Sequence, residues 1–164
     1  MAMRDRSSLR AFVLSFVAGS VALAAAPAFA ADPTGEWMVA DRTARIRIEH
    51  CADGYWGSIA WERQPGIDKN NPDPNRRGRP LLGSPILLSM KPAESNKWEG
   101  KVYNPKDGGY YNASIKLESQ NALQLQGCML IFCSGETWTR APDSAHATTG
   151  AAPAPQQPSV CPQH

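Results

Sequence analysis

The sequence predicts an all-β domain, an eight-stranded antiparallel up-and-down barrel. Three observations predict it: helical periodicity is missing after residue 30, short segments alternate apolar and polar residues at period two, and turn-forming residues separate these segments. In the clearest segment, Ala113, Ile115 and Leu117 alternate with Ser114 and Lys116. Successive side chains of a strand point to opposite faces, so each segment is typical of a half-buried strand.

Eight such segments follow one another with short separations. They cover residues 35–40, 43–50, 55–62, 84–90, 97–103, 110–118, 122–127 and 136–140. Gly, Pro, Asn and Asp cluster at 52–54, 104–109 and 119–121, which is typical of hairpin turns. Consecutive hairpins favour a meander closed into a barrel, because closure removes exposed strand edges. A β-sandwich is the alternative.

The first thirty residues are typical of a secretory signal peptide. Arg4, Arg6 and Arg10 form a basic start, an apolar run follows over residues 12–23, and Ala28-Phe29-Ala30 supplies the small residues of a cleavage site. The run is shorter than the roughly 20 apolar residues of a membrane span. We therefore expect cleavage after Ala30, no transmembrane segment in the processed chain, and a periplasmic or secreted protein.

Removing residues 1–30 makes the chain electrically neutral. The signal carries three of the 17 basic and one of the 15 acidic side chains, which leaves 14 of each in the remaining 134 residues. A protein that binds the phosphate backbone of nucleic acids keeps a basic surplus, so nucleic acid is not an expected partner. A chain of this length forms one domain.

Four cysteines, Cys51, Cys128, Cys133 and Cys161, all lie after the signal. An even number in an exported chain points to disulfides before metal binding or catalysis. Three pairings are open. A link from Cys51 to Cys128 is worth roughly 4.5 kcal/mol in the chain-entropy model and one from Cys128 to Cys133 about 2. This favours the long link, but geometry decides.

Two segments depart from the strand pattern. Residues 63–83 are rich in proline, glycine and polar residues and are too long for a simple turn, which is typical of a functional or disordered loop. Residues 142–164 contain almost no large apolar side chain, so we interpret them as a disordered tail after a domain at 31–141. Within that tail, Cys161 is either the partner of an unpaired domain cysteine or a free thiol.

Few residues of the domain suggest catalysis. His50 is its one histidine, and a nucleophilic site needs a base held by a third group, so we expect no enzyme, no cofactor and no metal. Residues 68–73 are rich in oxygen ligands, but Pro72 breaks the spacing of a calcium loop. Arg76, Arg77 and Arg79 can attract an anion, although local pairing with Asp68 and Asp73 is the favoured interpretation.

Five tryptophans in the domain predict a narrow, largely filled interior, so a ligand is expected at the open end of the barrel. The candidate ligand-binding residues come from the long loop and the neighbouring strand. They are Asn71, Asp73, Arg77, Arg79, Trp98 and Tyr103.

The two ends of the domain resemble the lipocalin and calycin signature. Gly35-Glu36-Trp37 lies on the first predicted strand and Trp138-Thr139-Arg140 on the last. The resemblance implies that Arg140 covers the indole of Trp37 and closes one barrel end, an interaction worth roughly 0.5 to 2 kcal/mol.

A wider set of residues resembles an uncharacterised family of exported bacterial proteins, catalogued as domain of unknown function 2147. It includes Asn71-Pro72-Asp73, Arg79-Pro80-Leu81, the run 98–105, Gly127-Cys128 and 137–140, and the resemblance covers about 33–141. Many members have Leu-Cys-Gly where this chain has Tyr55-Trp56-Gly57, so no disulfide pairing carries over. The resemblance implies a lipocalin-like barrel in the cell envelope and no established activity.

Two functions fit these observations. The first is a non-catalytic binding module for a small, partly apolar ligand held beside the 71–81 loop. The second is a structural or protein-interaction role with an envelope protein, in which the tail is a tether and Cys161 a cross-linking point. An enzyme fits least.

Overall fold

The computed structural model describes residues 31–142 and 159–162, and it shows eight antiparallel strands in a closed barrel. Each strand pairs with the next in chain order, and the last pairs with the first. The strands are β1 (Gly35–Met38), β2 (Ala44–Cys51), β3 (Gly54–Glu62), β4 (Pro85–Glu94), β5 (Lys97–Asn104), β6 (Gly109–Ser119), β7 (Ala122–Met129) and β8 (Phe132–Arg140). The predicted up-and-down barrel is confirmed, and the sandwich is excluded.

Two strands extend four residues beyond their predicted bounds, whereas β1 ends at Met38 and not at the predicted residue 40. β8 begins at Phe132 rather than at residue 136, because the small residues from Cys133 to Gly135 hide the alternation. β4 continues to Glu94 through a bulge, since its register with β5 shifts after Leu88. A Cβ on Gly100 would lie 2.7 Å from the Leu88 carbonyl oxygen, so a glycine in β5 allows the bulged strand to approach.

The core consists of the inward side chains of all eight strands. Its largest members are less than 2% exposed, and removing each from water stabilises the fold by roughly 1.5 to 3 kcal/mol. They include Trp37, Ile46, Ile48, Leu87, Met90, Ile115, Leu123 and Trp138.

The barrel has two unlike ends. At the loop end lie the connections 39–43, 63–84, 105–108 and 130–131. At the turn end lie the two-residue connections 52–53, 95–96 and 120–121, together with the start of β1 and the end of β8. A 3-10 helix, Pro74–Arg76, interrupts the longest loop.

The signal-peptide prediction for residues 1–30 and most of the tail prediction, 143–158 and 163–164, lie outside the described residues. In the part of the chain that is described, we find no helix with the length and apolar character needed to cross a membrane.

Candidate functional site

The turn end of the barrel is closed by Arg140. Its guanidinium carbon lies 4.2 Å from the centre of the Trp37 ring. The same guanidinium donates hydrogen bonds to the Thr34 carbonyl at 2.8 Å and to the Gln120 carbonyl at 2.6 Å. The indole N–H of Trp37 donates to the Pro33 carbonyl at 2.8 Å. Each polar group named here has a hydrogen-bond partner, so Arg140 and Trp37 are held in place at this end.

The long 63–84 loop is fixed to the outer wall of the barrel. On β5, Trp98 lies in the core and Val102 packs against it. Side chains alternate between the two faces of a strand, so Tyr103 faces outward. Tyr103 is nevertheless buried, because the loop covers it, and its hydroxyl donates a 2.6 Å hydrogen bond to Asp68 of that loop. Asn71 donates to the other oxygen of that carboxylate, also at 2.6 Å. The loop therefore covers the wall beside β5 through a buried polar cluster.

A second contact fixes the same loop to the β5–β6 connection. The side-chain amide of Asn70 donates to the carbonyls of Pro105 and Lys106 at 3.2 and 2.8 Å. Gly108 has a φ of +74°, and a Cβ at this position would collide with the Asn70 carbonyl oxygen. Only a glycine can adopt this positive φ and also leave room for the Asn70 carbonyl.

Burial, and after it the hydrogen bond to Asp68, raises the pKa of Tyr103 well above its ordinary value of 10.0. The carboxylate, the phenol and the amide of Asn71 thus form a satisfied network that holds the loop in place.

The six candidate ligand-binding residues occupy separate environments. Asn71 and Tyr103 are buried in the cluster around Asp68, whereas Trp98 is buried in the core. Asp73 accepts a hydrogen bond from the Asn75 N–H at the start of the 3-10 helix, and Arg77 donates to the Asn71 carbonyl at 2.8 Å.

Arg79 is exposed. Asn71 and Tyr103 therefore share the cluster around Asp68, Asp73 and Arg77 make hydrogen bonds within the loop, and Trp98 lies on the other side of the barrel wall.

The seam between β1 and β8 is short. Two ladder pairs close it, Trp37 with Arg140 and Met38 with Thr139, and the Ala141 N–H donates to the Glu36 carbonyl at 2.8 Å just beyond them; the ladder stops there because β1 ends at Met38. On its other side β8 pairs with β7 along its whole length from Phe132 to Thr139. No described strand therefore lies against the free side of β8 between Phe132 and Thr137.

Burial falls from β6 through β7 to β8, toward this seam. In one row of paired residues, Trp98 is 4% exposed, Ile115 is fully buried, Leu125 is half-buried and Glu136 is exposed. Ser134, two residues earlier on the inward face of β8, is exposed as well. We call the uncovered inner surface formed by Leu125, Ser134 and Glu136 the seam opening.

The seam opening has an apolar floor and a polar wall. The buried indole of Trp138 donates a 2.5 Å hydrogen bond to Glu136 directly above it. A carboxylate has about four acceptor positions, so Glu136 can accept further hydrogen bonds from a bound molecule. Leu125 supplies the apolar side.

Seven large hydrophobic side chains are exposed among the described residues, and all belong to the loop end of the barrel. They are Ile67, Leu82, Tyr110, Met129, Leu130, Ile131 and Phe132. We call the last four, residues 129–132, the apolar tip of the β7–β8 hairpin. The run of four large apolar residues between two cysteines breaks the period-two pattern, and this is the signal that could have identified the tip from the sequence.

The cysteines form two disulfides, Cys51–Cys161 and Cys128–Cys133. The Cys51–Cys128 link that chain entropy favoured is therefore not formed, because Cys51 pairs with Cys161 instead. Cys128 and Cys133 face each other across the β7–β8 ladder, directly below the apolar tip, which makes the short link the geometrically available one. No free thiol remains, so Cys161 is not available as a cross-linking point.

The described end of the tail lies against β2. Besides the Cys51–Cys161 disulfide, Glu49 accepts hydrogen bonds from the Val160 N–H at 2.8 Å and the Ser159 hydroxyl at 3.1 Å. Residues 159–162 are thus held at the turn end of the barrel.

His50 is exposed and stacks on Tyr55, with ring centres 4.7 Å apart. Within residues 31–142 and 159–162, no group of three or more histidine, cysteine, aspartate or glutamate side chains is placed to hold a metal ion.

Comparisons with known proteins agree with this architecture. Residues 35–140 match the family described as "Uncharacterized protein conserved in bacteria (DUF2147)". Among curated proteins, no sequence is similar enough to count as a match. A solved structure with a similar fold is that of protein HP1028 from Helicobacter pylori, described as belonging to the lipocalin family. The TM-score is 0.64 at 18% identity, over 70% of this chain and 86% of that one. The fold is a lipocalin-like barrel.

Proposed function

Since the chain belongs to the bacterial DUF2147 family and has a lipocalin-like barrel, we propose that it is an exported, non-catalytic binding module for a small, partly apolar molecule. The seam opening is the observation that carries this proposal. Ligand sites in such folds are concave, mostly apolar and provided with a few polar groups that fix orientation. Leu125 and the core beneath it supply the apolar surface, and Ser134 and Glu136 supply the polar groups.

The chemistry of the opening suggests the kind of ligand. Glu136 presents an acceptor, so the bound molecule carries a hydroxyl, amide or amine donor at one end. The other end is apolar and short, because the large side chains Trp37 and Trp138 fill the interior below. Long chains that need a deep cavity fit this opening less well.

Two disulfides support the proposed location outside the cytoplasm. Disulfides form and persist in oxidising compartments such as the periplasm and the extracellular medium.

The test is a displacement assay with the apolar fluorophore N-phenylnaphthylamine, followed by competition with short-chain alkyl alcohols, amines and carboxylic acids. Ser134→Trp fills the opening on the inward face of β8. The matched control, Thr137→Trp, adds the same side chain to the outward face. We expect S134W to weaken fluorophore binding at least about tenfold, since it removes the apolar contact surface, and T137W to leave it unchanged.

The alcohols and amines should displace the fluorophore at lower concentrations than the acids, because Glu136 repels a carboxylate. Equal binding by S134W and the unmodified chain, or no binding of any apolar molecule, would reject the proposal.

A further inference from the structure

The apolar tip is the most exposed hydrophobic surface of the described chain. Met129 is 60% exposed, Leu130 94%, Ile131 87% and Phe132 73%. Water around four adjacent large apolar side chains is unfavourable, and soluble proteins seldom leave such a group uncovered without a binding role. We propose that the apolar tip inserts into the surface of an anionic lipid bilayer.

The shape of the tip favours a bilayer over a protein groove. Leu130 and Ile131 form the two-residue turn, while Met129 and Phe132 are the pair directly below it. The side chains therefore surround a convex apex instead of lining one face. A stable protein interface usually involves about 20 to 30 residues on each side, far more than the four residues here. An apex surrounded by apolar groups fits the uniform acyl region of a membrane.

Two features of the β7–β8 hairpin support its apolar tip. The Cys128–Cys133 disulfide ties the strands at the pair immediately below the tip. Leu130 has a φ of +55°, a region that glycine or asparagine usually occupies in such turns. A large apolar residue at a position that local geometry reserves for glycine indicates that its side chain is used.

Tyr110 extends the surface at the level of the turn. The β6–β7 register pairs Asn112 with Cys128, so continuing it by two residues places Tyr110 beside Leu130. Tyr110 is 50% exposed. Tyrosine is enriched where proteins meet the headgroup region of a membrane, because its ring is apolar and its hydroxyl is polar.

Charge at the loop end fits an anionic surface. The four connections of this end carry seven basic and four acidic side chains, a surplus of three positive charges. The basic ones are Arg42, Arg63, Lys69, Arg76, Arg77, Arg79 and Lys106, and the acidic ones are Asp41, Asp68, Asp73 and Asp107. The described connections of the turn end carry only Asp32 and Asp53. Positive charge at the same end of the barrel as the tip therefore attracts anionic headgroups.

The experiment is vesicle co-sedimentation of the full chain, expressed for export and purified with both disulfides formed. One set of vesicles contains equal parts of phosphatidylglycerol and phosphatidylcholine, and the other contains phosphatidylcholine alone. We expect binding to the anionic vesicles that weakens as salt is added, because salt screens the headgroup attraction. The double variant Leu130→Ser, Ile131→Ser should bind roughly 100-fold more weakly, about tenfold for each apolar side chain removed.

Two variants make the result specific to the tip. Ile67→Ser removes an exposed apolar side chain from the long loop and should change binding by less than about twofold. Leu130→Phe, Ile131→Phe keeps the tip apolar and should bind like the unmodified chain. All variants are checked for unaltered thermal unfolding.

Three results would overturn the proposal. The first is no binding of the unmodified chain to anionic vesicles at low ionic strength, and the second is equal binding by the serine variant. The third is sedimentation of the unmodified chain as a dimer that the serine variant converts to a monomer, which would assign the tip to a second copy. The seam-opening assay is independent of all three, because S134W leaves residues 130 and 131 untouched.

Discussion

Asp68 and Tyr103, 35 residues apart in the chain, share a buried 2.6 Å hydrogen bond that fastens the longest loop to the barrel wall. Tyr103→Phe removes the donor and leaves a buried carboxylate with one partner fewer, which we expect to lower the free energy of unfolding by roughly 1 to 3 kcal/mol. Urea unfolding measures this. Tyr110→Phe, at an exposed ring stacked on Tyr103, is the control and should change stability by less than about 0.5 kcal/mol.

The raised pKa of Tyr103 predicts that the protein loses stability at alkaline pH. The pKa of Tyr103 is higher in the folded state than in the unfolded state, where it is about 10.0. Its contribution to the free energy of unfolding is therefore complete below about pH 10 and is lost as the pH rises above that value. We expect the free energy of unfolding to fall with pH above about 10, less steeply in Y103F. Tyr55 and Tyr111 retain part of the slope, since their pKa values are raised too. Identical slopes in the two proteins would contradict this account.

Arg140 contributes through its planar guanidinium. Arg140→Lys keeps the charge but loses the stacking geometry over Trp37 and the paired donation to Thr34 and Gln120. The expected cost is roughly 1 to 3 kcal/mol of unfolding free energy. Arg79→Lys on the exposed loop serves as the control, and an equal effect of the two substitutions would rule out a closing role for Arg140.

The two disulfides should contribute unequally to stability. In the chain-entropy model the Cys51–Cys161 link is worth about 5 kcal/mol and the Cys128–Cys133 link about 2, since the first closes a far longer loop. Paired serine substitutions at each link, compared by thermal and urea unfolding, measure the difference. The 128–133 variant should in addition weaken vesicle binding, because its tip is no longer tied. A larger stability loss in that variant would contradict the expected order.

Leu130→Gly separates stability from binding. Glycine tolerates a positive φ, so the turn should become more stable by up to about 1 kcal/mol, while vesicle binding falls because the apolar side chain is gone. Thermal unfolding and co-sedimentation measure the two quantities on the same preparation. A loss of both would mean that Leu130 stabilises the fold through packing instead.

The alternation of apolar and polar residues in the sequence is sufficient to predict the barrel. A strand has a side-chain period of two, so each segment identifies its own inward face, and short turns between segments leave a consecutive antiparallel order as the simplest arrangement. The pattern predicted β6 within one residue at each end. It missed the first four residues of β8, where Cys133, Ser134 and Gly135 carry no such signal.

Apart from the Trp37–Arg140 contact, which the resemblance implied, only the tertiary structure decided which distant residues meet. Local pattern contains no information about the partner of Cys51, the side of the wall on which Tyr103 lies, or the two-pair seam that leaves Glu136 uncovered. These three features depend on where the strands end in space and on how the closed sheet brings β1 and β8 together. The candidate ligand residues lie on both sides of the wall for the same reason, since sequence proximity to a loop does not reveal the face of the barrel against which that loop packs.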